Sequence, residues 1–308
     1  MNLLLQEDAL RKTTNSQNVK HLVQKLKHLN APNADIHPSA LNILTAFSRV
    51  LPNFLIIGPP KSGTSSLFYY LCLHPCVAIP KKKEIYFFDL DYSNGMNWYK
   101  AHFPTIFQKY IMIAQHGYFS TGEATPSYLF NPHAPKRVYQ SIPDVKLIIL
   151  LRNPIDRAYS HYYHMVRCGY ESLSFGDAIA KEQEWLPRER ELYSLDDKYI
   201  SSRYRNFSYL AQSIYIDQIL NWHKYFSKQQ LLIINSEHFY NNTRAAMKTA
   251  YDFLSLPENI LNQFQPTNVS RYPPMNPTTR KKLIEYFMPH NQRLYDYLAL
   301  NYGWDNET

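Results

Sequence analysis

Apolar residues fall in two registers along this chain. Five short stretches read as strands, residues 53–58 (Asn-Phe-Leu-Ile-Ile-Gly), 76–80, a piece near 119–123, 145–151 (Val-Lys-Leu-Ile-Ile-Leu-Leu) and 231–235 (Leu-Leu-Ile-Ile-Asn), and the first, fourth and fifth of them carry continuously apolar runs. Unbroken apolar runs, rather than alternating ones, are what strands covered on both faces require. Between them apolar residues recur at helical spacing, which predicts helices over 63–73, 131–141, 154–168, 174–186, 207–226, 243–254 and 277–300. The alternation of the two patterns predicts an α/β domain of three layers around a central parallel sheet. In such sheets ligands sit beyond the carboxyl ends of the strands, here after Ile57, after Leu151 and near Glu123.

Residues 1–50 read differently. Val19, Leu22, Val23, Leu26 and Leu29 mark one amphipathic helix, and Asn-Ala-Pro-Asn-Ala-Asp at 30–35 breaks it. The expected division is a helical N-terminal extension over 1–50 and a single larger domain over 51–308.

Composition narrows the class. With 45% hydrophobic and 19% charged residues in 308, the chain reads as globular, and no apolar run approaches the 18 or so residues of a membrane span. The start, Met-Asn-Leu-Leu-Leu-Gln-Glu-Asp, lacks the basic opening and long apolar core of a signal peptide, so the expectation is a cytoplasmic protein without a membrane partner. Three cysteines fit a reducing compartment, and Cys72 and Cys76 are expected to be buried thiols because no His/Cys set near them completes a metal site. The net charge is +8, but the basic residues are dispersed, and the one dense run, Lys81-Lys82-Lys83, reads as a solvated turn. That distribution argues against a nucleic-acid partner and for a cleft that attracts a small, highly anionic ligand.

The candidate chemistry begins at Gly58-Pro-Pro-Lys61-Ser-Gly63-Thr-Ser-Ser66, between the first strand and the first helix of the domain. It nearly matches the nucleotide-triphosphate loop G-x-x-x-x-G-K-[ST], with Gly58, Gly63 and Ser65 in register. Thr64 occupies the lysine slot, however, and the lysine stands earlier, at Lys61. Backbone amides of residues 62–66 at a helix N-terminus, one ammonium and the hydroxyls of Ser62, Thr64, Ser65 and Ser66 converge as an anion cradle. The plainer alternative is an ordinary helix start capped by Ser62. No apolar strand ends in the aspartate that a magnesium-nucleotide site needs, so the cradle is expected to work without a metal.

A second strand–turn–helix follows at Leu150-Leu-Arg152-Asn-Pro154-Ile-Asp-Arg157-Ala-Tyr-Ser160-His161. Pro154 suits the first helical turn. Arg152 at the strand exit and Ser160 about two turns into the helix make a pocket for a phosphate dianion, whereas Arg157 reads as a structural ion pair.

The two stretches together resemble the sulfotransferases that use 3′-phosphoadenosine-5′-phosphosulfate (PAPS), over about residues 52–305. Leu73-His-Pro75, Lys83-Glu84-Ile-Tyr-Phe-Phe-Asp89, Gly122-Glu-Ala-Thr-Pro-Ser-Tyr128 and Tyr302-Gly-Trp304 are similar to the carbohydrate type that includes the heparan-sulfate enzymes. The resemblance implies PAPS as donor, its 3′,5′-ADP product (PAP) and no metal. It places Lys61 at the bridging oxygen, Thr64 and its neighbours on the 5′-phosphate, and Arg152 with Ser160 on the 3′-phosphate. It makes Glu84 the base, with His161 and His164 as second choices and Glu123 as an orienting group. Arg271 and Tyr272 fall where the resembling enzymes cover the donor, and Ala124 stands where the heparan-sulfate enzymes carry a lysine.

The expected acceptor is a small molecule or sugar with a hydroxyl or amine. The missing leader favours a small metabolite, as in secondary-metabolite biosynthesis, and the 26 tyrosines suit a ring-bearing one. A homodimer is left open. Two other readings stand beside this one: a nucleotide kinase of the triphosphate-loop class, and a non-catalytic anion-binding protein.

Overall fold

The computed structural model describes residues 37–259 and 271–306. The amphipathic stretch expected over 19–29 lies outside them; of the expected extension, the described part holds a short α-helix, Ala40–Leu44, and a 3-10 turn, Ala46–Ser48. Five strands form one all-parallel sheet: β1 (Phe54–Gly58), β2 (Val77–Ala78), β3 (Ser120–Ala124), β4 (Lys146–Leu151) and β5 (Leu231–Asn235), in spatial order β2-β3-β1-β4-β5. The helices that carry the argument are α1 (Thr64–Cys72), α2 (Ala134–Ser141), α3 (Pro154–Arg167), α4 (Phe175–Leu195), α5 (Tyr215–His223), α6 (Thr243–Leu254) and α7 (Pro277–Leu298).

The pleat distributes one apolar run to two cores. Leu55 and Ile57 of β1 and Leu147, Ile149 and Leu151 of β4 pack with Ile155 of α3, Ile219 and Trp222 of α5, and Phe287 of α7. Phe54 and Ile56 of β1 and Ile148 and Leu150 of β4 point the other way, onto Leu67, Phe68 and Leu71 of α1 and Met247, Ala250 and Leu254 of α6. Both faces of the central strands are therefore covered, which is why no polar residue interrupts them. Each such Leu, Ile or Phe removed from water contributes about 1.5–3 kcal/mol. Cys72 and Cys76 are both buried in the second core.

Two expected helices differ in extent. The helix expected over 207–226 is divided into Ser202–Phe207 and α5, with the buried residues 208–214 between them. There a 3-10 turn, Ala211–Ser213, makes its own backbone bonds, and buried side chains satisfy the groups before it: the Glu182 carboxylate accepts from the Leu210 and Ala211 amides, each at 2.8 Å, and Arg157 donates to the Tyr209 carbonyl. Helix α4, expected to stop before Pro187, runs through it to Leu195. Phe175, Ala178 and Glu182 are buried before the proline and Glu189 and Tyr193 after it, and this packing outweighs the lost hydrogen bond.

The strand order fixes where a ligand can sit. From β1 the chain moves to the β3–β2 side, and from β4 it moves to β5 on the other side. The neighbours β1 and β4 therefore flank the switch point, and the loops at their carboxyl ends lie side by side, where ligands sit in sheets of this kind.

Candidate active site

The loop after β1 is shaped by backbone at positive φ. Lys61 has φ 71° and Gly63 φ 96°, and a Cβ on Gly63 would come within 2.9 Å of the Tyr240 hydroxyl. Lys61, unlike Gly63, bears the cost of a left-handed conformation. Helix α1 then starts at Thr64 with no side-chain cap, and its first bond runs from the Leu67 amide to the Gly63 carbonyl at 3.0 Å. The amides of Gly63, Thr64 and Ser65 precede that bond and lie at the helix's positive end. Ser62 does not act as a cap: its hydroxyl is buried without a hydrogen-bond partner, while its carbonyl accepts from Ser236 Oγ at 2.7 Å. A buried, unpartnered hydroxyl beside open amides suits an anion of several oxygens.

The loop after β4 meets the first one directly. Arg152 Nη1 donates to the Lys61 carbonyl at 3.0 Å, and the Arg152 carbonyl accepts from Tyr215 Oη at 2.8 Å. Asn153 caps α3, accepting from the Ile155 and Asp156 amides at 3.0 and 3.4 Å, with Pro154 in the first turn. Ser160 is buried on the same helix. Arg157 is buried too, but its partners are Ser213 Oγ at 2.6 Å, the Tyr209 carbonyl and His161 Nδ1 at 3.2 Å. It is a structural residue held by neutral acceptors, and no carboxylate forms the ion pair the sequence suggested among the described residues. Tyr272 stacks on Tyr163 of α3 with centroids 5.1 Å apart and meets Tyr159 edge-on at 5.5 Å, whereas Arg271 is exposed.

Burial, with Arg167 and Arg152 nearby, lowers the Lys61 ammonium to about 8. A cation held that close to neutral pH is ready to gain from an incoming anion.

The segment that carries Glu84 is buried more deeply than three successive lysines suggest. Lys83 is 4% exposed; its ammonium donates to Ser65 Oγ of the anion loop at 2.6 Å and pairs with Glu84 at 2.7 Å. The signal in the sequence was the apolar run that follows, Ile85-Tyr-Phe-Phe88, which pulls the end of the lysine triplet inward. Glu84 also accepts from the Tyr86 hydroxyl, and Arg205 lies over the Tyr86 ring at 4.6 Å. Burial opposes ionisation of Glu84, but the Lys83 ammonium, the Lys83 and Tyr86 hydrogen bonds and Arg205 outweigh it and hold the carboxyl below its usual range.

Glu123 of β3 organises this segment from beneath. Its carboxylate accepts from Tyr99 Oη at 2.9 Å, Tyr128 Oη at 3.0 Å, Thr125 Oγ1 at 2.5 Å and the Ile85 amide at 3.2 Å. Burial raises it to about 7 in spite of these donors. Next to it, Ala124 is fully buried and its amide donates to the Lys83 carbonyl at 2.9 Å. His161 is buried against Arg157 and edge-on to Tyr209, and burial with Arg157 keeps its imidazole far below the usual range. His164, half-buried, is lowered to about 4 by burial and by Lys61 and Arg167.

The chain and its fold have counterparts among known proteins. The sulfotransferase domain family matches residues 51–293. The membrane-associated sulfotransferase kil1 of Dictyostelium discoideum is 28% identical, over 83% of this chain and 67% of that protein. Heparan sulfate glucosamine 3-O-sulfotransferase 5 of Mus musculus is 26% identical, over 82% of this chain and 74% of its own length. A sulfotransferase from Alicyclobacillus acidocaldarius has a similar crystal structure, with a TM-score of 0.65 and 30% identity, covering 83% of this chain and all of that one. Among the described residues no helix is long and apolar enough to cross a membrane.

Proposed function

We propose, for a chain that belongs to the sulfotransferase family, that it transfers a sulfonate from PAPS to a hydroxyl or amine of a small-molecule or sugar acceptor. The observation that supports this reading is the contact between the two loops read as anion sites, joined by the bond from Arg152 to the Lys61 carbonyl. A donor with phosphates at both its 5′ and 3′ positions needs two such sites; a simple nucleotide needs one. The buried Ser62 hydroxyl and the Gly63 cradle fit the 5′ end, and Arg152 with Ser160 fits the 3′-phosphate.

In this reading the 5′-phosphate rests on the amides and hydroxyls from Gly63 to Ser66, and Tyr272 with Arg271 lies on the donor-covering side. Lys61, at the crest, faces the oxygen that bridges phosphate and sulfur. The acceptor oxygen attacks sulfur, the bond from sulfur to that oxygen breaks, and the electron pair leaves with the phosphate beside the Lys61 ammonium. Stabilising charge that develops only during transfer lowers the barrier rather than tightening ground-state binding. The acceptor's proton passes to Glu84. The heparan-sulfate relatives favour a sugar among the candidate acceptors.

The test is transfer itself. Radiolabelled PAPS is offered with a panel of amino sugars, polyols and phenols, without divalent metal. The expected result is label on at least one acceptor and release of 3′,5′-ADP. A protein that binds 3′,5′-ADP yet transfers to no member of a broad panel would support the non-catalytic alternative.

A further inference from the structure

We propose that Lys83 is a second catalytic cation, which leaves its Glu84 partner for the donor's sulfonate when the donor binds and so frees the carboxylate to take the acceptor's proton. This deepens the PAPS reading and rests on it. Lys83 bridges the two halves of the site: the same ammonium touches Ser65 Oγ in the anion loop at 2.6 Å and Glu84 at 2.7 Å. It is 4% exposed, whereas Lys81 and Lys82 are only half-buried. Burying an ammonium costs several kcal/mol unless it is fully paired, and an apolar side chain would fill this position more cheaply. An ammonium has three donors, and two partners account for two of them.

Its backbone is fixed. The Lys83 carbonyl accepts from Ala124 at 2.9 Å, and the next amide but one, Ile85, donates to Thr125 Oγ1 at 3.0 Å and to Glu123 at 3.2 Å. Only the side chain has freedom to change partner. Ser65 lies on the helix end that receives the 5′-phosphate, so a sulfonate attached there arrives next to the Lys83 ammonium.

The exchange also removes a conflict in the resting site. Glu84 is faced by Lys83, by the Tyr86 hydroxyl, by Arg205 over the Tyr86 ring and by His164. With Lys83 in place its carboxylate is a weak base, and a base is most effective when its affinity for protons is near the working pH. Transfer of Lys83 to the sulfonate weakens that hold at the moment the base is needed. No electron count changes: one sulfur–oxygen bond forms to the acceptor, one breaks to the phosphate, and one proton moves to Glu84.

The test compares ligands with and without the sulfonate. Lys83→Met in the full chain is expected to weaken PAPS by about tenfold or more, the worth of one charge-assisted contact, and to change 3′,5′-ADP affinity by less than about threefold. Lys83→Arg is expected to recover most of the PAPS affinity. On the wild-type protein, the side-chain nitrogen resonance of Lys83 should move markedly further on adding PAPS than on adding 3′,5′-ADP, which reaches its Ser65 partner but lacks the sulfonate, a readout that does not depend on a variant folding. Equal losses for both ligands in Lys83→Met, or a resonance that PAPS moves no further than 3′,5′-ADP does, would overturn the role of Lys83. Failure of the wild-type chain to bind 3′,5′-ADP would instead sink the PAPS reading itself.

Discussion

The guanidinium of Arg152, at the carboxyl end of β4, donates to the backbone carbonyl of Lys61 at the crest of the loop after β1, at 3.0 Å. A side chain assigned to the 3′-phosphate thus braces the loop assigned to the 5′ end. Ser160, on α3, has no such bond to the loop. Ser160→Ala should therefore weaken 3′,5′-ADP about tenfold and leave 5′-AMP unchanged. Arg152→Ala should weaken 3′,5′-ADP more, and 5′-AMP by a smaller factor through the loosened loop. Calorimetry with both nucleotides checks this; equal losses for the two in Ser160→Ala would remove the 3′-phosphate assignment.

Lys61→Ala should cut turnover about 10²–10³-fold while 3′,5′-ADP binding falls only a few-fold. Comparable losses in both would make Lys61 a binding residue alone. The pH dependence has a definite sign. The free ammonium titrates at about 8, and only its protonated form attracts the anion, so wild-type affinity for 3′,5′-ADP should decline as pH rises through about 8. In Lys61→Ala that component of the decline should vanish, as a binding series from pH 6 to 9.5 would report.

Glu84→Gln keeps shape and most hydrogen bonding but cannot take a proton. It should leave 3′,5′-ADP affinity nearly unchanged and cut turnover about 10²-fold or more. His161→Ala strips a buried neighbour from Arg157, so its larger effect should be on melting temperature. His164→Ala should do less than Glu84→Gln in turnover. Near-normal turnover in Glu84→Gln, with collapse in either histidine variant, would move the base onto α3.

Glu123 sets a stability signature. Its folded value, about 7, lies above the 4.5 of an ordinary glutamate. The native state then holds a proton that the unfolded chain releases, so this contribution is fully present below about 4.5 and is lost as pH rises through about 7. Relative to Glu123→Gln, the wild-type protein should lose melting temperature between pH 5 and pH 8. A difference between the two proteins that stays constant over that range would contradict the burial argument.

Much of this was legible in the chain. Strands β1, β4 and β5 are continuous apolar runs, and continuous runs have one explanation in a globular α/β protein. The helix Ile106–His116 was missed although Thr105 and Gln108 spell its capping box, because its apolar side chains are largely exposed and give no one-sided pattern. The division around residues 208–214 was illegible for another reason. It depends on Glu182 and Arg157, distant in sequence, taking over backbone hydrogen bonds. Lys83 shows the same limit at the site. Its neighbours in sequence are two lysines that read as a solvated turn, and only the fold brings Ser65 beneath its ammonium.

The most direct test of the central claim is binding of 3′,5′-ADP and of ATP-magnesium to the wild-type protein, measured by calorimetry and thermal shift, the first in the presence of a chelator. The proposed pair of anion sites, on the adjoining loops after β1 and β4, calls for 3′,5′-ADP to bind and stabilise the protein without any divalent metal, well ahead of 5′-AMP, and for ATP-magnesium to do little. Stabilisation by ATP-magnesium and not by 3′,5′-ADP would contradict the account and return the loop at Lys61 to the nucleotide-kinase reading.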